Sequence, residues 1–138
     1  MIVDSHTHLL PDRLAAAIRR FFAEHGVNDF SYPMDHRTVL DRHHADGIDT
    51  IWNLPYAHKA GMARALNETM LEASAAVADH PVTVLPGCTV HPDDADPVAD
   101  FDAAIDAGAK ILKLHCSATK HFCRRSRSLT NSRTSLPT

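Results

Sequence analysis

Four short apolar segments alternate with stretches of helical periodicity along this 138-residue chain, and this alternation restricts the fold more than any other feature. The apolar segments cover residues 2–8, 48–54, 83–91 and 110–115. Between them, apolar residues recur at spacings of three and four, as they do in amphipathic helices. Strands that alternate with helices form βαβ units, whose strands lie parallel in one sheet. The sequence therefore predicts an α/β fold built on a parallel sheet.

Local signals indicate where the helices begin, end and bury a face. Asp35 is predicted to cap a helix that ends at Gly47, because Asp favours the N-cap and Gly favours the position after the last turn. The clearest helical pattern predicts a buried face formed by Met62, Leu66, Met70, Ala73 and Val77. These patterns place a helix before and after each inner strand of the predicted sheet.

The first apolar segment ends in two histidines one residue apart, His6 and His8. Successive side chains of a strand point to opposite faces, so Asp4, His6 and His8 are expected on one face. Two neutral imidazoles can then converge on one divalent cation, each about 2.0–2.1 Å from it. In a chain with eleven histidines, a solvated His pair at a strand end is the alternative. We prefer the metal site, because the pair ends a first strand just before a loop and a helix.

The Asp-Ser-His-Thr-His motif at residues 4–8 resembles the opening of the metal-dependent amidohydrolase superfamily, in particular its branch with short Asp-x-His-x-His starts. The resemblance continues through residues 67–92 and reaches the Gly-Ala-Lys-Ile-Leu-Lys-Leu-His segment at residues 108–115. It extends to about residue 116. It implies a (β/α)8 barrel of the TIM type that binds one or two divalent metals. The implied reaction is hydrolysis, or in some relatives decarboxylation or hydration.

The resemblance also assigns metal ligands. His6 and His8 match the His-x-His of the first strand, and His115 matches the single His that ends a mid-barrel strand. No segment matches the later His or the closing Asp, which normally handles the proton of the bound water. The catalytic residues therefore stay unassigned. Zinc is the expected metal, since three histidines with an open fourth position suit catalytic zinc; manganese and iron are the alternatives.

Residues near the ends of the second and third predicted strands are candidate substrate contacts. These candidates are Trp52, Asn53, Tyr56 and His91. For His91, a hydrogen-bonded histidine at a strand-to-loop junction is the alternative interpretation. Asp4 and Lys113 are expected to point inward and to interact inside the barrel. Other histidines are interpreted as surface or helix residues: His25, His36, His43, His44, His58, His80 and His121.

The chain is shorter than the implied barrel, which typically needs about 250 residues. The expected architecture is a barrel truncated to about four βα units at residues 1–116, followed by a disordered basic tail at residues 117–138. All 17 acidic and nine basic residues lie in the first segment, net charge −8, whereas the tail holds five basic residues and no acid. Such a tail could bind nucleic acid or an acidic membrane surface, or be a simple disordered terminus. We favour a change of reading frame near residue 117, because the βα pattern stops directly after a strand.

Three functions fit these observations. The first is a metal-dependent hydrolase of the amidohydrolase type, which attacks an amide, ester or lactone with a metal-activated water. The second is a metal-dependent decarboxylase, a lyase on the same scaffold, and the third is an inactive half-barrel fragment. We expect a small-molecule substrate and no nucleic-acid or membrane partner; a homo-oligomer is an option, since four strands leave two open sheet edges. Three scattered cysteines and no apolar leader favour a cytoplasmic location.

Overall fold

A four-stranded parallel sheet forms the centre of the protein. The computed structural model describes residues 1–27 and 33–115. The strands are β1 (Val3–Thr7), β2 (Thr50–Asn53), β3 (Thr83–Thr89) and β4 (Ile111–Lys113). They lie side by side in chain order, and each neighbouring pair is parallel. The predicted α/β fold with a parallel sheet is confirmed, and the sheet curls into a half-barrel.

Helices connect successive strands, as parallel neighbours require. They are α1 (Asp12–Glu24) and α2 (His36–Ala45) between β1 and β2, α3 (Ala63–Ala75), and α4 (Pro97–Asp106). The predicted cap of α2 is confirmed, because the Asp35 carboxylate accepts a hydrogen bond from the Thr38 N–H at 2.8 Å. Gly47 follows α2 with φ +78°, a backbone conformation that favours glycine and ends the helix.

The main core lies between the sheet and the helices that cover it. Its buried members are Leu9, Leu40, Ile51, Val77 and Val82. A smaller buried cluster of Cys88, Ala104 and Ala109 joins β3 to α4. Each Leu, Ile or Val removed from water in this way stabilises the fold by about 1.5–3 kcal/mol. The core therefore holds residue 9, directly after the His-x-His motif, against the second strand.

Helix α3 buries a different face from the one that its apolar residues predict. Its buried residues are Ala63, Asn67, Met70 and Ser74. Met70 was predicted correctly, as was Val77 just beyond the helix, but Leu66 and Ala73 are only half-buried. The polar side chains take inward positions because Asn67 and Ser74 both make hydrogen bonds inside the protein.

A β-bulge interrupts strand β1. Asp4 pairs with Ile51 and Thr7 pairs with Asn53, so β1 has one residue more than β2 over this stretch. Paired residues of neighbouring strands share a face, and Ile51 faces the core under the helices. Asp4 therefore lies on the helix-facing side of the sheet.

The bulge changes two predictions about Asp4. Its carboxylate approaches the Nε2 atom of His43 in α2 at 3.4 Å, rather than Lys113 across the barrel interior. The expectation that Asp4 shares a face with His6 and His8 is also wrong, because the extra residue shifts the alternation between them. His43 is a half-buried histidine of helix α2, with 13% of its side chain exposed, in agreement with its interpretation as a helix residue.

The predicted tail, residues 117–138, lies outside the described residues, and its disorder and the change of reading frame stay predictions. Among the helices of the described part of the chain, none is both long enough and apolar enough to cross a membrane.

Candidate metal centre

His6 and His8 meet at the carboxyl end of β1. Their Nε2 atoms lie 3.1 Å apart. The two rings are nearly perpendicular, with an interplanar angle of 81°. Both residues are partly exposed, on the side of the sheet away from the main core. The two Nε2 atoms are therefore in contact with each other, while their ligation of one metal ion stays a prediction.

A backbone carbonyl fixes the orientation of the His8 ring. Its Nδ1 atom lies 2.5 Å from the carbonyl oxygen of Leu54, the residue that follows β2. A carbonyl oxygen can only accept, so Nδ1 carries the proton and donates it. In the neutral ring the lone pair is then on Nε2, which faces His6. This is the arrangement that metal-binding histidines use to set their tautomer.

The surroundings of His8 keep its imidazole neutral. Burial lowers the pKa of His8 below the ordinary value of 6.5, because it disfavours the charged form. The hydrogen bond to Leu54 opposes this effect, and electrostatic interactions with His6 and Lys113 lower the pKa of His8 further. Lys113 belongs to β4 at the far edge of the sheet, so its influence on His8 reflects the curl of the half-barrel. A neutral imidazole is the form that binds a metal.

The spacing of the two Nε2 atoms fits shared ligation. Two nitrogens bound to one zinc ion at a tetrahedral angle, each about 2.0–2.1 Å from it, lie about 3.3 Å from each other. The observed 3.1 Å is close to this value. Without an ion, the same contact is a hydrogen bond from the protonated Nε2 of His6 to the lone pair of His8. The donor set thus supplies two imidazole ligands with little rearrangement.

The third expected ligand, His115, lies elsewhere at the same end of the sheet. Its ring lies against the ring of Tyr56, with centroids 4.2 Å apart and planes tilted by 37°. Within residues 1–27 and 33–115, no three His, Cys, Asp or Glu side chains lie close enough to hold a metal ion. The structure thus brings His6 and His8 together without His115, and ligation of a metal by any of the three stays a prediction.

Asp4 holds the bulge that contains His6. Its carboxylate accepts a hydrogen bond from the His6 N–H at 2.9 Å. This bond is the main reason that the pKa of Asp4 lies below its ordinary value. On its other side the carboxylate faces His43, whose Nδ1 donates to the carbonyl of Val39 at 2.8 Å. Asp4 thereby ties the backbone of His6 to helix α2.

The candidate substrate residues take different positions. Tyr56 follows β2, and its ring centroid lies 6.2 Å from that of His58 and 4.2 Å from that of His115. Trp52 is half-buried in β2, on the sheet face opposite Ile51. His91 is buried after β3, where its Nδ1 accepts a hydrogen bond from the Asp93 N–H at 3.2 Å. This contact braces the loop that His91 begins, while substrate contact by any of the three stays a prediction.

A cavity of about 340 Å³ adjoins the His pair. It opens beside β1 and is lined by β1, α1 and α2, with His6 and His8 at one side. Ile18 and Val39 give it an apolar wall, and Arg19 adds a positive charge. This volume falls in the range of small-molecule pockets, about 300–1,000 Å³. The His pair therefore has space for a small ligand next to it.

The apolar pattern missed the buried polar residues behind the site. Asn53, Asn67 and Ser74 are nearly or wholly buried and bonded to one another or to backbone groups. The inward position of Asn67 and Ser74 breaks the rule that polar residues of an amphipathic helix face water. The sequence had indicated Asn53 only as a candidate substrate contact at the end of the second strand, whereas its side chain is wholly buried and bonded inside the protein.

Comparison of the chain with protein-family models finds no match, and a search of curated proteins finds none either.

Proposed function

We propose that this chain is part of a metal-dependent hydrolase with an amidohydrolase-type (β/α)8 barrel. The observation that carries the proposal is the 3.1 Å approach of the His6 and His8 Nε2 atoms at the carboxyl end of the first parallel strand. Enzymes with this barrel place their active sites at the carboxyl ends of the strands. Four parallel strands in chain order, joined by helices, are the arrangement that one half of such a barrel would have.

His6 and His8 would hold the metal, with zinc first and manganese or iron as alternatives. His115 is the proposed third ligand. When bound, the ion would act as a Lewis acid and would lower the pKa of its bound water to about 7. The chain's own contribution is to keep His8 neutral and turned toward His6 through the Leu54 carbonyl. Asp4 holds the bulge that carries His6.

The adjoining cavity would receive the substrate. Its apolar wall and the guanidinium of Arg19 suit a small molecule with an apolar body and an acceptor oxygen or carboxylate. An amide, ester or lactone carbonyl could approach the His pair from this side. Trp52, Tyr56 and His91 are proposed contacts at the mouth of the half-barrel.

Zinc titration of the metal-free chain tests the site. We expect about one zinc ion per chain by isothermal calorimetry. His6→Ala and His8→Ala should each weaken binding by more than about 100-fold, since loss of a ligand costs at least as much as loss of an outer-shell partner. His25→Ala is the matched control: its Nδ1 also donates to a backbone carbonyl, that of Phe21 at 2.7 Å, but on helix α1. Equal zinc affinity in the wild type and the His6→Ala/His8→Ala double variant would sink the proposal.

Turnover is tested separately on the zinc-loaded chain. A panel of small esters, lactones and amides should show zinc-dependent hydrolysis that His8→Ala abolishes. Release of carbon dioxide from carboxylated substrates, without hydrolysis of the panel, would assign the decarboxylase instead. Zinc binding at His6 and His8 without turnover would identify the inactive half-barrel fragment.

The sheet edges support a proposal of self-association. Apolar side chains of both edge strands and their flanks are exposed, among them Ile2 (57%) and Leu112 (42%). Edge strands also present unpaired N–H and C=O groups that a second sheet can pair with. We expect a homodimer by light scattering, and dissociation when Ile2 and Leu112 are both replaced by Lys. A monomer at all concentrations would contradict this proposal.

A further inference from the structure

A buried chain of hydrogen bonds runs from helix α3 to the backbone beside the His pair. The Ser74 hydroxyl donates to the Met70 carbonyl at 2.8 Å. Its oxygen accepts from Nδ2 of Asn53 at 3.0 Å, and Oδ1 of Asn53 accepts from the Leu9 N–H at 2.8 Å. Because the Ser74 proton is directed at Met70, the Asn53 amide can face Ser74 only with its NH₂ group. Its oxygen must then face Leu9.

The same strand end makes two more bonds to the segment around His8. The Leu54 N–H donates to the Thr7 carbonyl at 2.9 Å. The Leu54 carbonyl accepts from the His8 ring. Residues 7, 8 and 9 are therefore each bonded to residue 53 or 54. Of these three bonds, the one between the Asn53 side chain and the Leu9 N–H holds the backbone directly after His8.

We propose that Asn53 is a positioning residue for His8. By holding the Leu9 N–H, its amide keeps the His8 backbone at the distance where Nδ1 reaches the Leu54 carbonyl and Nε2 faces His6. Asn53 is wholly buried, so water cannot replace the hydrogen bonds that its amide makes. Ser74 acts behind it by fixing which way the amide points. The inference rests on the proposed function only where it concerns metal affinity; the orientation of His8 is a property of the metal-free chain.

Asn67 offers a matched control for a purely structural role. It is also a buried asparagine, 2% exposed, and its amide also bonds backbone groups, those of Thr89 in β3. Its contacts lie on β3 rather than beside the His pair. Replacement of Asn67 and of Asn53 by Ala should destabilise the fold through the same loss of buried amide bonds. Only the Asn53 change should disturb His8.

The first measurement is the tautomer of His8 in the metal-free chain, read from long-range ¹H–¹⁵N correlation spectra at pH 7.5. In the wild type and in Asn67→Ala we expect the proton on Nδ1. In Asn53→Ala we expect a mixture of the two tautomers, because the ring is no longer held at the Leu54 carbonyl. Ser74→Ala, which keeps Asn53 and suits a helix, should give a smaller shift in the same direction and serves if Asn53→Ala does not fold.

The second measurement is zinc affinity of the same variants. Asn53→Ala should bind zinc about 10–100-fold more weakly than the wild type, as loss of an outer-shell partner typically does. The zinc affinity of Asn67→Ala should stay within about threefold of the wild-type value, because Asn67 shares no hydrogen-bond partner with the His pair. An unchanged His8 tautomer in both Asn53→Ala and Ser74→Ala, or equal weakening of zinc binding by Asn53→Ala and Asn67→Ala, would overturn the inference. A wild type that binds no zinc, with the tautomer shift still present, would instead sink the proposed function and leave the role of Asn53 intact.

Discussion

The side-chain amide of Asn67 hydrogen-bonds both backbone polar groups of Thr89. The Thr89 N–H donates to Oδ1 at 2.8 Å, and Nδ2 donates to the Thr89 carbonyl at 2.9 Å. Thr89 ends β3 and is 1% exposed, so water cannot replace these bonds. The Asn67 side chain thus joins helix α3 to the carboxyl end of β3.

Replacement of Asn67 by Ala should destabilise the fold strongly. The change leaves a buried N–H and a buried C=O without partners, and each costs about 1–3 kcal/mol. We expect the free energy of unfolding in urea to fall by about 2–4 kcal/mol. Glu68→Ala, next to it on the exposed face, should change it by less than about 0.5 kcal/mol. Equal losses for the two variants would show that the Thr89 bonds do not stabilise the protein.

The pH dependence of stability should report the burial of His8. Its pKa is lowered in the folded chain, whereas the unfolded chain protonates it near the ordinary value, about 6.5. The contribution of His8 to stability is therefore complete above about pH 6.5, decreases as the pH falls below that value, and levels off below the folded pKa. His8→Gln should flatten the urea-unfolding profile in this window. A variant profile with the same slope as the wild type would contradict the assignment.

Replacement of Lys113 by Met should raise the pKa of His8. The Lys113 charge lowers that pKa from across the half-barrel, so its removal favours the protonated ring. An NMR titration of the His8 Cε1–H signal measures the change. Lys110→Met is the control, since Lys110 precedes β4 and is not among the charges that act on His8. A raised pKa of His8 in both variants would indicate a general effect of net charge. It would then give no evidence that β4 lies close to His8.

Gly87 is predicted to resist substitution because of its neighbours. A Cβ atom at this position would lie 3.0 Å from the Asn53 carbonyl oxygen and 3.0 Å from a Leu54 methyl group. Gly87→Ala should cost about 1–3 kcal/mol of unfolding free energy, as other overpacking changes do. It should also weaken zinc binding, because it displaces the strand end that holds His8.

Gly47→Ala provides the comparison. It meets no atom within 4 Å, but its φ of +78° strains a Cβ-bearing residue. We expect a loss of about 1 kcal/mol from this backbone conformation, with zinc affinity unchanged. Calorimetric titration and urea unfolding of both variants separate the two effects. Unchanged zinc affinity in Gly87→Ala would argue against mechanical coupling between β3 and the His pair.

The Cys88 thiol should be unreactive in the folded protein. It is fully buried against α4, and desolvation raises its pKa, so little thiolate forms at pH 8. In a chain with Cys116 and Cys123 replaced by Ser, iodoacetamide should modify Cys88 only at the rate at which the protein opens. Mass spectrometry in increasing urea measures this rate. Rapid modification without urea would show that the β3–α4 cluster is not closed.

The sequence by itself determined the parallel α/β fold, the cap of α2 and the position of His6 and His8 at a strand end. These features depend on periodicity and on contacts between neighbouring residues, which short stretches of sequence encode. The tertiary structure decided which groups meet. The His8–Leu54 and Leu9–Asn53 hydrogen bonds join residues that are 46 and 44 positions apart, so no local sequence pattern predicts them.

The same distinction explains the incorrect predictions. Asp4 lies on the helix-facing side because a bulge, which depends on the pairing with β2, breaks the alternation within β1. The apolar pattern of α3 predicted that Leu66 and Ala73 would be buried. Asn67 and Ser74 are buried instead, because they form hydrogen bonds with groups on β2 and β3. Burial of a polar group is favourable only when its partner is in place, and that partner is supplied by the folded chain.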